Sequence, residues 1–217
     1  MQNIVFIAPP AAGKGTCSDY LIKNYGYEHI STGDLLRDEI ASGSELGKQI
    51  DNIISKGNLL DDEFMIKLVR ERLKSLESNK PFILEGFPRT IVQAEKLDEM
   101  FNDLNISNVK VIYLKIDFDI ALKRTLGRIN CPNCKKSYNI YFDAKKPMNG
   151  NLCDDCNIEL VKRNDDNEDS FKVRYDSYMK DANLIINHYE NKHMLKTILA
   201  DNLEDMFNEV VKEAKND

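Results

Sequence analysis

The stretch "NIVFIAPPAAGKGTCSDYLIKNYGY", which begins at Asn3, constrains the fold of this chain more than any other segment. An apolar run leads into a loop that ends in G-K-G-T, and the residues after the loop have helical spacing. A strand, a glycine-lysine loop and a helix in this order predict a loop whose backbone N–H groups cradle phosphate. Lys14 would reach the terminal phosphates, and the Thr16 hydroxyl could help to place Mg²⁺.

The first half of this loop departs from the usual pattern, because Ala8 and Ala11 stand where such loops normally have glycine. Glycine allows positive φ and a close approach of the backbone to its ligand. Alanine is the smallest possible departure from glycine, so we predict a working phosphate loop. The alternative is an ordinary corner between a strand and a helix.

Apolar runs alternate with helical patterns along most of the chain. Strands are predicted at residues 3–8, 81–85, 109–116 and 195–199. Helices are predicted at residues 15–25, 34–42, 61–76, 90–101, 119–126, 169–191 and 203–215. This order predicts an α/β fold in which a central parallel sheet is covered by helices on both faces.

Composition narrows the class of protein further. The length of 217 residues suits one α/β domain with small insertions, and a hydrophobic content of 42% supplies a sizeable core. The net charge of −6 argues against general binding of nucleic acid. No apolar run approaches the ~20 residues of a membrane span, and the N-terminus resembles a strand rather than a signal peptide. We therefore expect a cytoplasmic protein that binds neither nucleic acid nor membrane.

Four cysteines form two C-x-x-C pairs that are separated by 18 residues: Cys131, Cys134, Cys153 and Cys156. Two such pairs in a chain expected to be cytoplasmic predict a tetrahedral Zn²⁺ site of structural character, since four protein ligands close the coordination shell. Paired disulfides and a segment without metal are the alternatives, and iron could occupy such a site in the test tube. The fifth cysteine, Cys17, is expected to be a buried core thiol rather than a reactive one.

Further motifs follow the loop in a fixed order. They are "STGDLLR" at residues 31–37, "GFPRT" at 86–90 with Gln93 after it, "RTLGR" at 124–128, and "RNDD" at 163–166 with Arg174 downstream. Six of the eight arginines lie in these motifs, although the chain has 22 lysines. Arginine grips phosphate with a planar fork that lysine lacks, so the distribution indicates phosphate contacts.

In order and spacing these motifs resemble the adenylate kinase family, in its form with a long lid that binds zinc. The resemblance extends from residue 3 to about residue 201. It implies a P-loop NTPase-like three-layer fold with small AMP-binding and zinc-binding lid subdomains. The implied core comprises residues 1–30, 61–126 and 165–217, the AMP-binding subdomain residues 31–60, and the lid residues 127–164.

The resemblance also implies a function and a set of residues. The family transfers a phosphoryl group reversibly from Mg²⁺-bound ATP to AMP and gives two ADP, which balances the adenine nucleotides. The implied catalytic residues are Lys14, Arg89, Arg128, Arg163 and Arg174. The implied ATP contacts are Ala11, Ala12, Gly13, Lys14, Gly15, Thr16, Arg124, Ser137 and Tyr138. The implied AMP contacts are Thr32, Arg37, Leu60, Gly86, Arg89, Gln93, Arg163 and Arg174.

One further departure from the family pattern concerns Mg²⁺. Glu85 stands where the family usually has aspartate, whereas Asp34 keeps the pattern. Both carboxylates are expected at the water shell of Mg²⁺, and the extra methylene of Glu85 could shift that geometry. ATP and AMP are the expected partners, and family precedent favours a monomer.

Two alternatives remain at this point. The first is a kinase for another nucleoside monophosphate, because Thr32 and Gln93 favour adenine without settling the base. The second is a zinc-ribbon module that binds nucleic acid, since four lysines flank the cysteine pairs: Lys135, Lys136, Lys145 and Lys146. The acidic net charge and the few aromatic residues near these lysines argue against the second alternative.

Overall fold

The computed structural model describes residues 1–56, 60–77 and 80–215, and the elements within these ranges form an α/β fold. The strands are β1 (Asn3–Ile7), β2 (Glu28–Ser31), β3 (Phe82–Glu85), β4 (Val109–Lys115), β5 (Arg128–Asn130), β6 (Ser137–Asn139) and β7 (Leu195–Leu199). The helices are α1 (Lys14–Tyr25), α2 (Thr32–Ala41), α3 (Glu45–Ile54), α4 (Asp62–Lys74), α5 (Ile91–Asp103), α6 (Phe118–Leu126), α7 (Glu168–Asn191) and α8 (Leu203–Lys215). A single 3₁₀ turn is described at Asp143–Lys145.

Five of the described strands form a parallel sheet in the order β2-β3-β1-β4-β7. Strand β1 lies at the centre, where Val5 pairs with Leu84 on one side and with Val111 on the other. Parallel strands need crossover connections, and the intervening helices provide them. The carboxyl ends of β1, β2 and β3 therefore lie side by side, at the edge of the sheet where ligands bind in folds of this class.

Two hydrophobic clusters cover the two faces of this sheet. Side chains alternate along a strand, so Val5 and Ile7 enter one cluster while Ile4 and Phe6 enter the other. The first cluster is packed by apolar residues of α4 and α5, and the second by those of α1 and α8. The predicted three-layer α/β fold is thereby confirmed.

Side-chain caps determine where several helices begin. Ser31 accepts a hydrogen bond from the Asp34 N–H at the start of α2, and Thr90 does the same for the Gln93 N–H at the start of α5. Asp117 caps α6 through the N–H groups of Asp119 and Ile120. Such a cap contributes about 1 kcal/mol by satisfying an N–H group that lacks a partner within the helix. The first turns of α2 and α5 are thus held at defined positions beside the ends of β2 and β3.

Strands β5 and β6 form a separate antiparallel pair, which we call the small sheet. Its register pairs Arg128 with Asn139 and Asn130 with Ser137, and a bridge joins Asn130 to Val161. A third hydrophobic cluster accompanies it, built from buried Cys131, Tyr138, Cys153 and Leu160. This cluster is small, so apolar burial alone contributes little to the stability of this part of the chain.

The sequence patterns missed β2, α3 and both strands of the small sheet. Strand β2 reads EHIS, which is too short and too polar to show an apolar run. Helix α3 contains Gly47, a weak helix former, yet a Cβ there would lie 2.4 Å from the backbone oxygen of Glu39 on α2. The close packing of α2 on α3 therefore requires glycine at position 47. Because glycine has a low helix propensity, the sequence pattern did not predict α3.

Two further observations complete the description. Among the described helices, none carries an apolar stretch of the length that crossing a bilayer requires. The division into a core, an AMP-binding subdomain and a lid stays a prediction. Residues 57–59, at the end of the predicted AMP-binding segment, lie outside the described residues.

Candidate functional site

The glycine-lysine loop connects β1 directly to α1. Helix α1 begins at Lys14, and Gly13 at its N-cap has a φ of 103° and offers no side chain to cap the helix. Ala11 has a φ of 59°, so it holds the left-handed conformation that favours glycine. The Lys14 ammonium donates hydrogen bonds to the carbonyls of Ala8 (3.1 Å) and Pro9 (3.0 Å). An uncapped helix start with an ammonium group folded over the loop is suited to an anion.

A cleft of about 820 Å³ opens beside this loop, at the carboxyl ends of β1, β2 and β3. Nine cationic residues line it: Lys14, Arg37, Arg89, Arg124, Arg128, Lys135, Lys145, Arg163 and Arg174. Four carboxylates line it as well: Asp19, Asp34, Asp38 and Glu85. The cleft is thus strongly positive although the whole chain has a net charge of −6. Its size and charge suit a ligand with several phosphates.

Arg89 and Arg163 have no carboxylate within 4.0 Å among the described residues. Burial and the charges of Arg174 and Arg37 lower the pKa of Arg89 to about 10. Burial and the charges of Arg128 and Arg37 lower the pKa of Arg163 to about 10 in the same way. Each of these half-buried guanidinium groups is repelled by neighbouring cations, so each favours an anion beside it.

Arg128 and Arg174 are held by carboxylates of the RNDD motif. Arg128 Nε donates to Asp166 Oδ2 at 2.7 Å, and its Nη2 donates to Asp166 Oδ1. Arg174 Nη1 donates to Asp165 Oδ2 at 2.6 Å, and its Nη2 lies 3.6 Å from Asp166 Oδ1. Burial lowers the pKa of Arg128, but the hydrogen bond and charge of Asp166 outweigh burial and raise it. These contacts orient both guanidinium groups on the cleft wall.

The two acidic residues expected near Mg²⁺ both line the cleft. Glu85 Oε1 lies 2.6 Å from His29 Nε2, and Asp34 Oδ1 accepts a hydrogen bond of 2.5 Å from Arg37 Nη2. Burial raises the pKa of Asp34, but Arg37 and the Ser31 hydroxyl outweigh it, so the pKa is lowered and the carboxylate stays ionised. Burial lowers the pKa of His29, and the hydrogen bond and charge of Glu85 raise it by more.

Three of the residues predicted to contact AMP do not line the cleft: Thr32, Leu60 and Gln93. The Thr32 hydroxyl donates to the Glu85 carbonyl at 3.2 Å, and Leu60 packs against the core. Gln93 Oε1 accepts from the Arg89 N–H at 2.7 Å, while its Nε2 donates to Asp62 at 2.8 Å. In this conformation Gln93 therefore orients the Arg89 backbone. Their contacts with a base stay predictions.

Gly86 does line the cleft, and its carbonyl accepts a hydrogen bond of 2.8 Å from Arg89 Nε. Its φ is 81°, and a Cβ there would lie 2.3 Å from the Thr32 hydroxyl oxygen. Both constraints require glycine, because positive φ is strained for other residues and the space is filled. Gly86 thereby lets the strand end approach α2 closely.

The other residues predicted to contact ATP lie along the same cleft. Arg124 donates to the carbonyls of Ala200 (2.9 Å) and Asp201 (3.1 Å), and its guanidinium carbon lies 5.7 Å from the centre of the Phe142 ring. Ser137 and Tyr138 line the cleft from β6. All the cleft-lining arginines predicted from the motifs are thus brought to one concave surface that also contains Lys14.

The four cysteine sulfurs of the C-x-x-C pairs lie within 4.8 Å of one another, in what we call the thiol cluster. A tetrahedral Zn²⁺ with bonds of about 2.3 Å separates its sulfurs by about 3.8 Å, and Cys134 Sγ lies 3.6 Å from Cys153 Sγ. The Tyr138 hydroxyl lies 3.4 Å from Cys153 Sγ, and this hydrogen bond lowers the pKa of that thiol. The donor set fits zinc and supports zinc binding.

Sequence reasoning missed two residues that shape the site. No sequence pattern marks His29, because β2 has no apolar run and no local spacing pairs His29 with Glu85. Asp166 lies inside the RNDD motif and is almost fully buried, yet the resemblance implies a role only for the arginine of that motif. The signal for Asp166 was available, since carboxylates beside a required arginine commonly orient it.

Comparison with known proteins agrees with this arrangement. The family model described as adenylate kinase matches residues 6–194. An adenylate kinase of Kosmotoga olearia is 41% identical over 216 residues, which cover 99% of this chain and all of that protein. An adenylate kinase of Archaeoglobus fulgidus is 41% identical over 194 residues, covering 89% of this chain and 88% of that protein.

A third relative is an adenylate kinase of a Geobacillus species, which is 40% identical over 197 residues. That match covers 91% of this chain and 90% of the relative. The family match at residues 6–194 spans the phosphate loop, the arginine motifs and the thiol cluster together. The chain therefore belongs to the adenylate kinase family, and with it to the nucleoside monophosphate kinases, which are phosphotransferases.

Proposed function

We propose that this protein transfers a phosphoryl group reversibly from Mg²⁺-bound ATP to AMP, giving two ADP, and so keeps the adenine nucleotides in balance. One observation carries the proposal: Lys14, Arg89, Arg128 and Arg174 line a single cleft. Burial lowers the pKa of Lys14, and the charges of these arginines add to that effect. Cations that close together need a polyanion between them. Two nucleotides that meet end to end would supply it.

The donor side of the proposed reaction is the loop. The backbone of Ala11–Thr16 and the Lys14 ammonium would hold the ATP phosphates, and α1 directs its positive end at them. Arg124, Ser137 and Tyr138 would contact the adenosine of ATP. Mg²⁺ bound to ATP supplies charge neutralisation on the phosphates, and Asp34 and Glu85 would hold the water around it.

The acceptor side lies across the cleft. Arg37 and Arg89 would grip the AMP phosphate, with Arg163 and Arg174 on the phosphoryl group in transfer. Thr32, Gln93, Gly86 and Leu60 would form the surroundings of the base, after Thr32 and Gln93 release their present partners. Transfer of this kind needs alignment and charge neutralisation rather than covalent chemistry from side chains.

The proposed subdomains follow from this division of roles. Residues 31–60 would close over AMP, and residues 127–164 would close over ATP as a lid stabilised by Zn²⁺ on the thiol cluster. Closure would exclude water, which suppresses transfer to water in place of AMP. A kinase for another nucleoside monophosphate would use the same cleft and differ at Thr32 and Gln93.

The test mixes the protein with ATP, Mg²⁺ and each nucleoside monophosphate in turn and measures the diphosphates formed. Rapid formation of ADP with AMP, and slow turnover of GMP, CMP and UMP, supports the proposal. Faster turnover of another monophosphate would show that this nucleotide, and not AMP, is the acceptor. Absence of turnover with all four would contradict the proposal altogether.

A pair of arginine variants sharpens this test. Arg89→Ala should lower kcat/KM by about a thousandfold, in the range of other arginines that act on a phosphoryl group in transfer. Arg70→Ala removes an equal charge from an exposed pair with Asp103 and should leave turnover unchanged. Similar rates for the two variants would count against the role of Arg89.

A further inference from the structure

The small sheet presents one of its faces to the cleft. Residues two apart on a strand share a face, so Arg128 and Asn130 of β5 point to the same side. The antiparallel register sets Asn139 opposite Arg128 and Ser137 opposite Asn130. All four residues line the cleft. We call this set of four residues the cleft face of the small sheet.

The other face of the small sheet belongs to the thiol cluster. Ile129 and Tyr138 alternate with the cleft-face residues, and both pack in the hydrophobic cluster that contains Cys131 and Cys153. Part of Tyr138 also lines the cleft. A metal held there would therefore stiffen the sheet from behind. The orientation of Asn130 toward the cleft wall follows from this alternation.

Among the described residues of the cleft face, Asn130 has a buried side-chain amide without a hydrogen-bond partner in this conformation. The residue is only 8% exposed, and neither Nδ2 nor Oδ1 has a hydrogen-bond partner within the described parts of the chain. Its backbone is satisfied, because its N–H and C=O both pair with Val161. Asn139 differs, since its amide donates to the Arg124 carbonyl and accepts from the Tyr141 N–H.

A buried amide without a protein partner is costly, and native structures commonly supply such a group with a partner from water, an ion or a ligand. The phosphates of a nucleotide offer the acceptor that is lacking. Arg128, on the same face, would bring phosphate oxygens within reach of position 130. Beside the Arg128 guanidinium, the Asn130 amide would supply a second hydrogen-bond donor, which is neutral and has a defined direction.

We propose that Asn130 is a further ATP-binding residue. Its side chain turns from the wall into the cleft when ATP binds, and Nδ2 donates a hydrogen bond to a phosphate oxygen beside Arg128. The inference rests on the proposed function, because it assumes that Arg128 faces the phosphates of ATP. It assigns Asn130 to the donor nucleotide and not to AMP.

Titration calorimetry with Mg²⁺–ATP and, separately, with AMP tests the inference. Asn130→Ala should weaken the binding of ATP about tenfold, which is the worth of one hydrogen bond to a charged oxygen. Its affinity for AMP should be unchanged. The melting temperature without nucleotide should not fall, because the substitution removes an amide that has no partner.

Asn130→Asp is the second variant, and it should weaken ATP binding more than Asn130→Ala because a carboxylate repels phosphate. Asn102→Asp is its matched control, since it makes the same change of charge on the exposed end of α5 and should bind ATP normally. Unchanged ATP affinity in both Asn130 variants would overturn the inference, as would equal losses for ATP and AMP. Failure of the unaltered protein to bind ATP would instead overturn the proposed function and the inference with it.

Discussion

At the scale of single residues, the charge on Lys14 depends strongly on its surroundings. Burial lowers its pKa from the ordinary 10.5 to about 8; Glu85 opposes that change, and Arg89, Arg128 and Arg174 add to it. Between pH 8 and 10.5 the unfolded chain binds the proton that the folded chain has lost. The contribution of Lys14 to the free energy of unfolding therefore rises with pH in this window.

Binding of ATP should reverse this shift, because phosphate stabilises the ammonium form. We expect the protein to take up a proton on binding ATP near pH 8.5, and the affinity to weaken as the pH rises through about 8. Calorimetry in buffers of different ionisation enthalpy measures the uptake. Lys14→Met should abolish it. Equal proton uptake by Lys14→Met and the unaltered protein would assign the titration to another group.

Ala11 provides a second residue-scale prediction, because its φ of 59° is strained for any residue with a Cβ. Ala11→Gly should raise the free energy of unfolding by about 0.5–1 kcal/mol. Ala12→Gly should lower it by about 1 kcal/mol, since Ala12 is fully buried and its methyl group packs in the core. Urea denaturation of both variants measures the difference. Loss of stability in both variants would mean that glycine at position 11 relieves no backbone strain.

At the scale of elements, the small sheet depends on the thiol cluster because its own hydrophobic core is so small. The thiol cluster includes Cys153, which is fully buried and whose Sγ lies 3.4 Å from the Tyr138 hydroxyl. Structural Zn²⁺ sites supply folding free energy directly to segments of this kind. The two strands and the loops around them are therefore expected to lose order together when metal is removed.

We expect the unaltered protein to hold one zinc per chain, and Cys153→Ser should lower this content to near zero. The same variant should lower the melting temperature by at least about 5 °C, because a loss of roughly 2 kcal/mol corresponds to that shift in a chain of this size. Cys17→Ala is the control. Cys17 is buried in the main core, where burial raises the pKa of its thiol, so this variant should retain zinc. Retention of metal by Cys153→Ser would contradict the structural role.

At the scale of the whole molecule, Asp166 links distant parts of the chain. Its carboxylate is almost fully buried and contacts Arg128 from β5 and Arg174 from α7. A buried charge that loses its partner strongly destabilises the fold. The network therefore holds the small sheet and α7 in one arrangement around the cleft.

Asp166→Asn should therefore lower the free energy of unfolding by about 3–5 kcal/mol, because it leaves the largely buried guanidinium of Arg128 without its counter-charge. Asp165→Asn breaks a more exposed pair with Arg174 and should cost about 1 kcal/mol. Thermal and urea denaturation of both variants compare the two. Equal losses would indicate that burial of Asp166 does not set the strength of the network.

The sequence alone determined the α/β class, the phosphate loop, the arginine motifs and the thiol cluster. Each of these depends on local order: an apolar run before G-K-G-T, or two C-x-x-C pairs, forms the same unit wherever it lies in the molecule. The helix α7 and the strand β4 were also visible, because both are long and strongly patterned.

Only the tertiary structure decided which groups face one another. The pairing of His29 with Glu85, the hold of Asp166 on two arginines, and the unpartnered amide of Asn130 join residues from separate elements. No local pattern records such pairs, because their distances arise from the order of strands in the sheet and from the packing of helices on it. The short elements β2 and α3 were missed for the same reason, since their stability comes from neighbours rather than from their own residues.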